Sequence, residues 1–183
     1  MPRYDDVARL FRVQASAGAT QFVPNPATSD EIAAAEREIG APLPESFRRF
    51  QLEFGECDRG PLEIYSVRAV EPPAMNIVSR NLDARTELYP RLPQHLIAFS
   101  DNGGGDYYCF DTRARVADEC PVVWWDHEDD EDQTPQPVVP SFLDWLQREL
   151  EEIAREEKGS RLDQIGYVAQ HILRGWLRGG KGE

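Results

Sequence analysis

Ser100-Asp101-Asn102-Gly103-Gly104-Gly105-Asp106-Tyr107-Tyr108-Cys109-Phe110-Asp111, followed shortly by Pro121-Val122-Val123-Trp124-Trp125-Asp126-His127-Glu128, is the stretch that decides how this chain folds. Leu96-Ile97-Ala98-Phe99 leads into it, so three β-prone runs follow one another and a glycine turn joins the first two. Bulky β-formers separated by tight-turn residues predict an antiparallel sheet. An aspartate closes each of the last two runs, which places acid at the strand ends and suits a binding scaffold better than a catalyst.

On the N-terminal side the pattern turns helical. Thr28-Ser29-Asp30-Glu31 has the capping-box form, with Ile32, Ala35, Glu36 and Ile39 at helical spacing and Gly40 as the left-handed stop. Pro44 suits the first turn of a second helix, whose Phe47, Phe50 and Phe54 form a core-facing stripe. Val7, Leu10 and Phe11 predict a short amphipathic helix over 5–17, and Leu62-Glu63-Ile64-Tyr65 alternates like a half-buried strand. Four prolines break up residues 66–94, leaving room for a helix within 75–88.

On the C-terminal side Pro135, Pro137 and Pro140 read as a loop. Ser141-Phe142-Leu143-Asp144 opens a helix to about residue 158, with Leu143, Leu146, Leu150 and Ile153 on its buried face. Leu162, Ile165, Ala169, Ile172, Leu173 and Trp176 form a further amphipathic stripe before a glycine-rich tail.

A length of 183 residues suits one core with appended helices. The net charge of -13 argues against nucleic acid and anionic membrane, whose binding needs surplus Lys and Arg, and favours a basic protein partner. Residues 1–25 contribute +1 and residues 160–183 contribute +2, so residues 26–159 carry -16. Cys57, Cys109 and Cys120 are odd in number and lack Cys-x-x-Cys spacing, which predicts reduced thiols. Without a secretory or membrane-spanning apolar run, a soluble cytoplasmic protein is expected.

The order of these features resembles the SUKH superfamily, in its branch of Smi/Knr-type cell-wall-assembly regulators. The resemblance is carried by the helix pair 27–54 with its hinge Gly40-Ala41-Pro42-Leu43-Pro44, the strand 96–99, the loop and strand 101–111, and the stretch 122–128 leading to the helix 141–153. It implies an α+β fold, a mixed and mainly antiparallel sheet with helices packed against it. The expected organisation is an N-terminal helical extension over 1–26, the SUKH-like domain over 27–157, and a C-terminal amphipathic helix and tail over 158–183. For a bacterial protein the resemblance implies an immunity protein that neutralises a toxin domain of a polymorphic or contact-dependent system. For the fungal branch it implies a regulatory interaction scaffold.

Candidate binding residues follow from charge and position. Asp126, Glu128, Asp129, Asp130, Glu131 and Asp132 supply six carboxylates without one Lys or Arg, directly after the Trp124-Trp125 strand. Three readings compete: a solvated acidic loop, a rim that touches a partner beside an aromatic anchor, and an oxygen-ligand loop for calcium. The calcium reading lacks the sixth-position Gly and twelfth-position Glu, where Glu131 and Pro137 stand, so no metal site is assigned. Adjacent Trp124 and Trp125 should point to opposite faces of a strand, and Trp125 is grouped with the acidic run as a partner-facing residue, together with Asp101 and Asp106. A basic toxin domain, for instance a nuclease, is the expected partner.

Gly103-Gly104-Gly105 has no Lys-Ser/Thr after it and reads as turn geometry rather than a phosphate cradle. His127-Glu128 lacks the second His of a zinc helix, no Gly-x-Ser-x-Gly elbow occurs, and Cys109 lies inside a strand. No enzymatic activity and no cofactor are expected.

Overall fold

The computed structural model describes residues 2–17, 24–59, 62–69, 75–130, 132–156 and 158–159. Within them the order is α1 (Tyr4–Ala17), α2 (Ser29–Ile39), α3 (Glu45–Glu53), β1 (Cys57–Arg59), β2 (Leu62–Ile64), α4 (Ile77–Thr86), β3 (Leu96–Asp101), β4 (Tyr107–Asp111), β5 (Val122–Trp125), β6 (Gln136–Val139) and α5 (142–156). The strands β3-β4-β5-β6 form one antiparallel meander, and β1-β2 form a separate hairpin. The fold is α+β, as the family resemblance implies, and its larger sheet is antiparallel, as the runs around the glycine turn predict.

Local chemistry sets the helix ends. Thr28 accepts the Glu31 amide at 3.2 Å while the Glu31 carboxylate accepts the Thr28 amide at 2.8 Å, completing the capping box, and Gly40 closes α2 at φ +84°. Pro44 sits one place earlier than the sequence suggested, as the extended N-cap of α3. Ser141 accepts the Asp144 amide at 3.3 Å to start α5, and its hydroxyl donates to the Asp144 carboxylate at 2.6 Å.

The sheet has two faces of different character. On one, Phe99, Tyr108 and Phe110 meet Phe47 and Phe50 of α3 and Phe142 and Trp145 of α5 in a continuous aromatic core, with Phe99 and Phe110 stacked at 4.2 Å. On the other, Tyr107, Cys109 and Trp125 face α4. Asn81 of α4, fully buried, ties helix to sheet: its amide donates to the Ala98 carbonyl at 2.8 Å and its carbonyl accepts the Ala98 amide at 2.9 Å. The pairing of β3 with β4 slips between Ala98 and Ser100, so Phe99 is accommodated as a bulge.

Two segments differ from the sequence reading. Residues 136–139 form β6, because Pro137 sits on an edge strand where a missing N–H breaks no inner ladder. Residues 57–59 form β1, a three-residue strand too short to show a period. The N-terminal helix α1 is part of the core: Tyr4, Val7, Ala8, Phe11 and Ala15 are buried, and Phe11 packs against Phe54 at 4.7 Å. The amphipathic stripe from Leu162 to Trp176 lies outside the described residues. No helix among the described residues is long and apolar enough to cross a membrane.

Candidate functional site

A cleft of about 420 Å³ opens on the α4 side of the sheet, lined by Glu63, Arg80, Leu88, Tyr89, Pro90, Asp101, Gly103, Gly105, Tyr107, Trp125 and His127. Strand pairing places it. Tyr107 and Trp125 are direct cross-strand partners, and Asp101 pairs with Tyr107 on its other side, so the last residues of β3 and β5 and the first of β4 converge on one wall. Helix α4 supplies Arg80, the strand β2 supplies Glu63, and the segment after α4 supplies Leu88 and Tyr89 at the mouth. These last two are 44% and 73% exposed, respectively.

Asp101 is the hub. One carboxylate oxygen accepts the Tyr65 hydroxyl at 2.6 Å and the Arg80 guanidinium at 2.9 Å; the other accepts the Gly103 amide at 2.7 Å. Arg80 also donates to the Tyr65 hydroxyl at 3.2 Å and lies 5.9 Å from the Tyr107 ring centroid. This network fixes the start of the glycine turn, and Asn102 carries it on by accepting the Gly104 and Asp106 amides. Burial and the hydrogen bond to Asp101 push the Tyr65 hydroxyl well above its ordinary range.

Glu63 stands beside Asp101 without a cation of its own: among the described residues it makes no ion pair. Burial, then the Asp101 and Asp58 charges, push its carboxyl up to about 7 against the pull of Arg80.

The glycine turn and the acidic run are joined by Asp106 and His127. The Asp106 carboxylate accepts the His127 amide at 3.0 Å and lies 2.7 Å from His127 Nδ1. A Cβ on Gly105, whose φ is +107°, would stand 3.1 Å from the His127 imidazole, so glycine lets the ring lie against the turn. Partial burial raises the Asp106 carboxyl, but the His127 and Asn102 hydrogen bonds outweigh it and hold it below its ordinary value. The Asp106 hydrogen bond in turn raises His127.

The acidic loop is closed on itself. Gln133 donates to the Asp126 carbonyl at 2.7 Å and accepts the Asp126 amide at 3.2 Å, while the Asp126 carboxylate accepts the Glu128 amide at 2.8 Å. Glu128, Asp129, Asp130 and Asp132 are exposed, and among the described residues none of them makes an ion pair. Glu131 lies outside the described residues. Asp106, Asp126 and His127 bring one potential ligand atom each within 4.8 Å of one another.

The two tryptophans do point to opposite faces, with consequences for the expected contact set. Trp125 is 1% exposed and meets the cleft from its wall, whereas half-buried Trp124 packs against Tyr108 at 4.8 Å. Asp101, 7% exposed, is an internal organiser of the turn rather than a rim charge. Glu63, Arg80, Leu88 and Tyr89 went unnoticed in the sequence. Glu63 carried a usable signal, an acid between the two core residues of an alternating strand.

The SUKH_5 family model, described as SMI1-KNR4 cell-wall, matches residues 12–151, from within α1 to within α5. Comparison with curated proteins finds no match. The matched span takes in the last part of α1, every described helix and strand from α2 to β6 and most of α5, together with the cleft and the acidic loop, and the chain belongs to the SMI1-KNR4 (SUKH) family.

Proposed function

We propose that this chain is a non-enzymatic immunity protein that binds a cognate toxin domain and occludes its active surface. The observation that carries this reading is the juxtaposition of an acidic rim, Glu128, Asp129, Asp130 and Asp132, which makes no ion pair among the described residues, with a cleft whose mouth is apolar and aromatic. Desolvated apolar and aromatic anchors set the lifetime of a protein complex, and surrounding charges set partner choice and the rate of encounter. Family membership supports a protein-binding role, and the acidic rim favours a basic partner domain such as a nuclease. The contact set on this reading is Asp126, Glu128, Asp129, Asp130, Glu131, Asp132 and Asp106 at the rim, with Trp125 and Asp101 behind them shaping the cleft.

The test is co-expression with a toxin domain encoded by a neighbouring gene. A stable complex and survival of the host support the reading; a correctly folded toxin that is neither bound nor neutralised contradicts it. A regulatory scaffold of the cell-wall-regulator type is the alternative, and the absence of a neighbouring toxin gene favours it.

A further inference from the structure

We infer that the cleft between α4 and the strand ends is a receptor for one arginine side chain of the protein partner, its guanidinium seated on Glu63 between aromatic walls. The inference deepens the protein-binding reading above and rests on it for the source of the arginine. It stands on three features of the cleft: its charge, its shape and the state of its carboxylates.

Among the described residues, the charge lining the cleft is negative and locally uncompensated. The only cation from α4 lining the cleft, Arg80, is committed to Asp101 at 2.9 Å and to the Tyr65 hydroxyl at 3.2 Å. Glu63 on β2 is left among the charges of Asp101 on β3 and Asp58 on β1, with Arg80 pulling in the opposite direction. Glu63 lies partly buried beside the Asp101 carboxylate, and burial together with that neighbouring negative charge makes it hold its proton more tightly until a second cation arrives. An incoming guanidinium supplies it, and the fork of N–H donors suits adjacent carboxylate oxygens better than an ammonium does.

The walls suit a flat cation. Tyr107 and Trp125 are fixed by cross-strand pairing, and Tyr89 stands at the mouth with its ring largely exposed. Aromatic faces within about 6 Å of a cation add attraction that grows as the site dries. Leu88 offers an apolar surface for the aliphatic stem of the same side chain. The volume of about 420 Å³ admits one long side chain and leaves little room for a folded element. An anionic ligand directed to Arg80 would instead have to displace Asp101 and lie against Glu63.

The experiment uses the chain alone, so that its result is separable from whether a toxin is ever found. Nα-acetyl-arginine amide is titrated into isotope-labelled protein at pH 8 and followed by NMR, with the citrulline analogue as a neutral control of the same shape. The expected result is saturable shifts at Glu63, Tyr89, Tyr107 and Trp125 that the citrulline compound does not produce. Glu63→Gln weakens the affinity about tenfold, the worth of one charge-assisted contact, and Tyr89→Ala weakens it with Glu63 intact.

Lowering the pH to 5.5 also weakens binding, because Glu63 gains its proton and His127 at the cleft edge gains charge. Shifts that are absent at tens of millimolar ligand, equal for citrulline, or unchanged in Glu63→Gln overturn the inference. In that event the toxin-binding reading stands or falls on its own test.

Discussion

Tyr65 Oη donates a 2.6 Å hydrogen bond to Asp101 Oδ2, and through it the end of the β1-β2 hairpin is fastened to the last residue of β3. The Tyr65 amide makes a second link by donating to the Phe99 carbonyl at 2.9 Å. The hairpin that carries Glu63 is thereby set at a fixed distance from the glycine turn, and the cleft lies between them. Tyr65→Phe keeps the buried ring and removes the first link. It should lower stability by about 1–2 kcal/mol, since Asp101 keeps two other donors. Urea denaturation reads this, and the Gly103 amide should exchange faster in the same variant.

Asn81 satisfies both backbone groups of Ala98 at the bulge of β3. Asn81→Leu fills the space and leaves a buried N–H and C=O unpaired, each worth about 1–3 kcal/mol. The expected outcome is a lower urea midpoint with an unchanged slope, and an Ala98 amide that loses its protection from exchange.

Gly55 follows α3 at φ +79°, and a Cβ there would stand 2.1 Å from the Asn25 carbonyl oxygen. Backbone would have to move to admit it. Gly55→Ala should therefore cost more than the roughly 1 kcal/mol of an unhindered glycine replacement at positive φ. Gly40→Ala, at φ +84° with open space around the added carbon, is the internal comparison. Equal losses of thermal stability in the two variants would contradict the close approach.

Glu63 gives a pH dependence of known sign. Its folded value of about 7 lies above its ordinary 4.5, so the folded protein holds this proton longer than the unfolded chain does. The stabilisation is complete below about pH 4.5 and is lost as pH rises through 7. His127, raised by Asp106, acts in the same direction, and Asp106 acts in the opposite one. The difference between wild type and Glu63→Gln isolates the Glu63 contribution. Glu63→Gln should gain stability relative to wild type between pH 5 and pH 8, as followed by denaturation at each pH.

The parts of the fold that were legible in the sequence are those with a local cause. Thr28 and Glu31 announce a helix start because both partners of the cap lie within four residues. Phe47, Phe50 and Phe54 announce a buried face, and the glycine turn announces a hairpin. The parts that were hidden depend on distant partners. Pro137 looks like loop until Val123 is seen opposite it, and Trp125 looks like an outward anchor until β4 and α4 are placed around it. The acidic rim was visible because charge density is a property of composition. The cleft was not, because Glu63, Arg80, Tyr89 and Trp125 come from four separate segments that only the tertiary fold brings together.

The central claim is that the rim from Glu128 to Asp132 steers a basic protein onto this surface, and association kinetics test it most directly. Purified chain and the toxin domain from the neighbouring gene would be mixed by stopped flow across a salt series, with wild type compared to a variant carrying Glu128→Gln, Asp129→Asn, Asp130→Asn and Asp132→Asn. Tight binding with an on-rate that falls with salt, and that drops about tenfold or more at low salt in the neutralised variant while the off-rate changes little, is the predicted result. An on-rate that is indifferent to both salt and the four substitutions would contradict the claim.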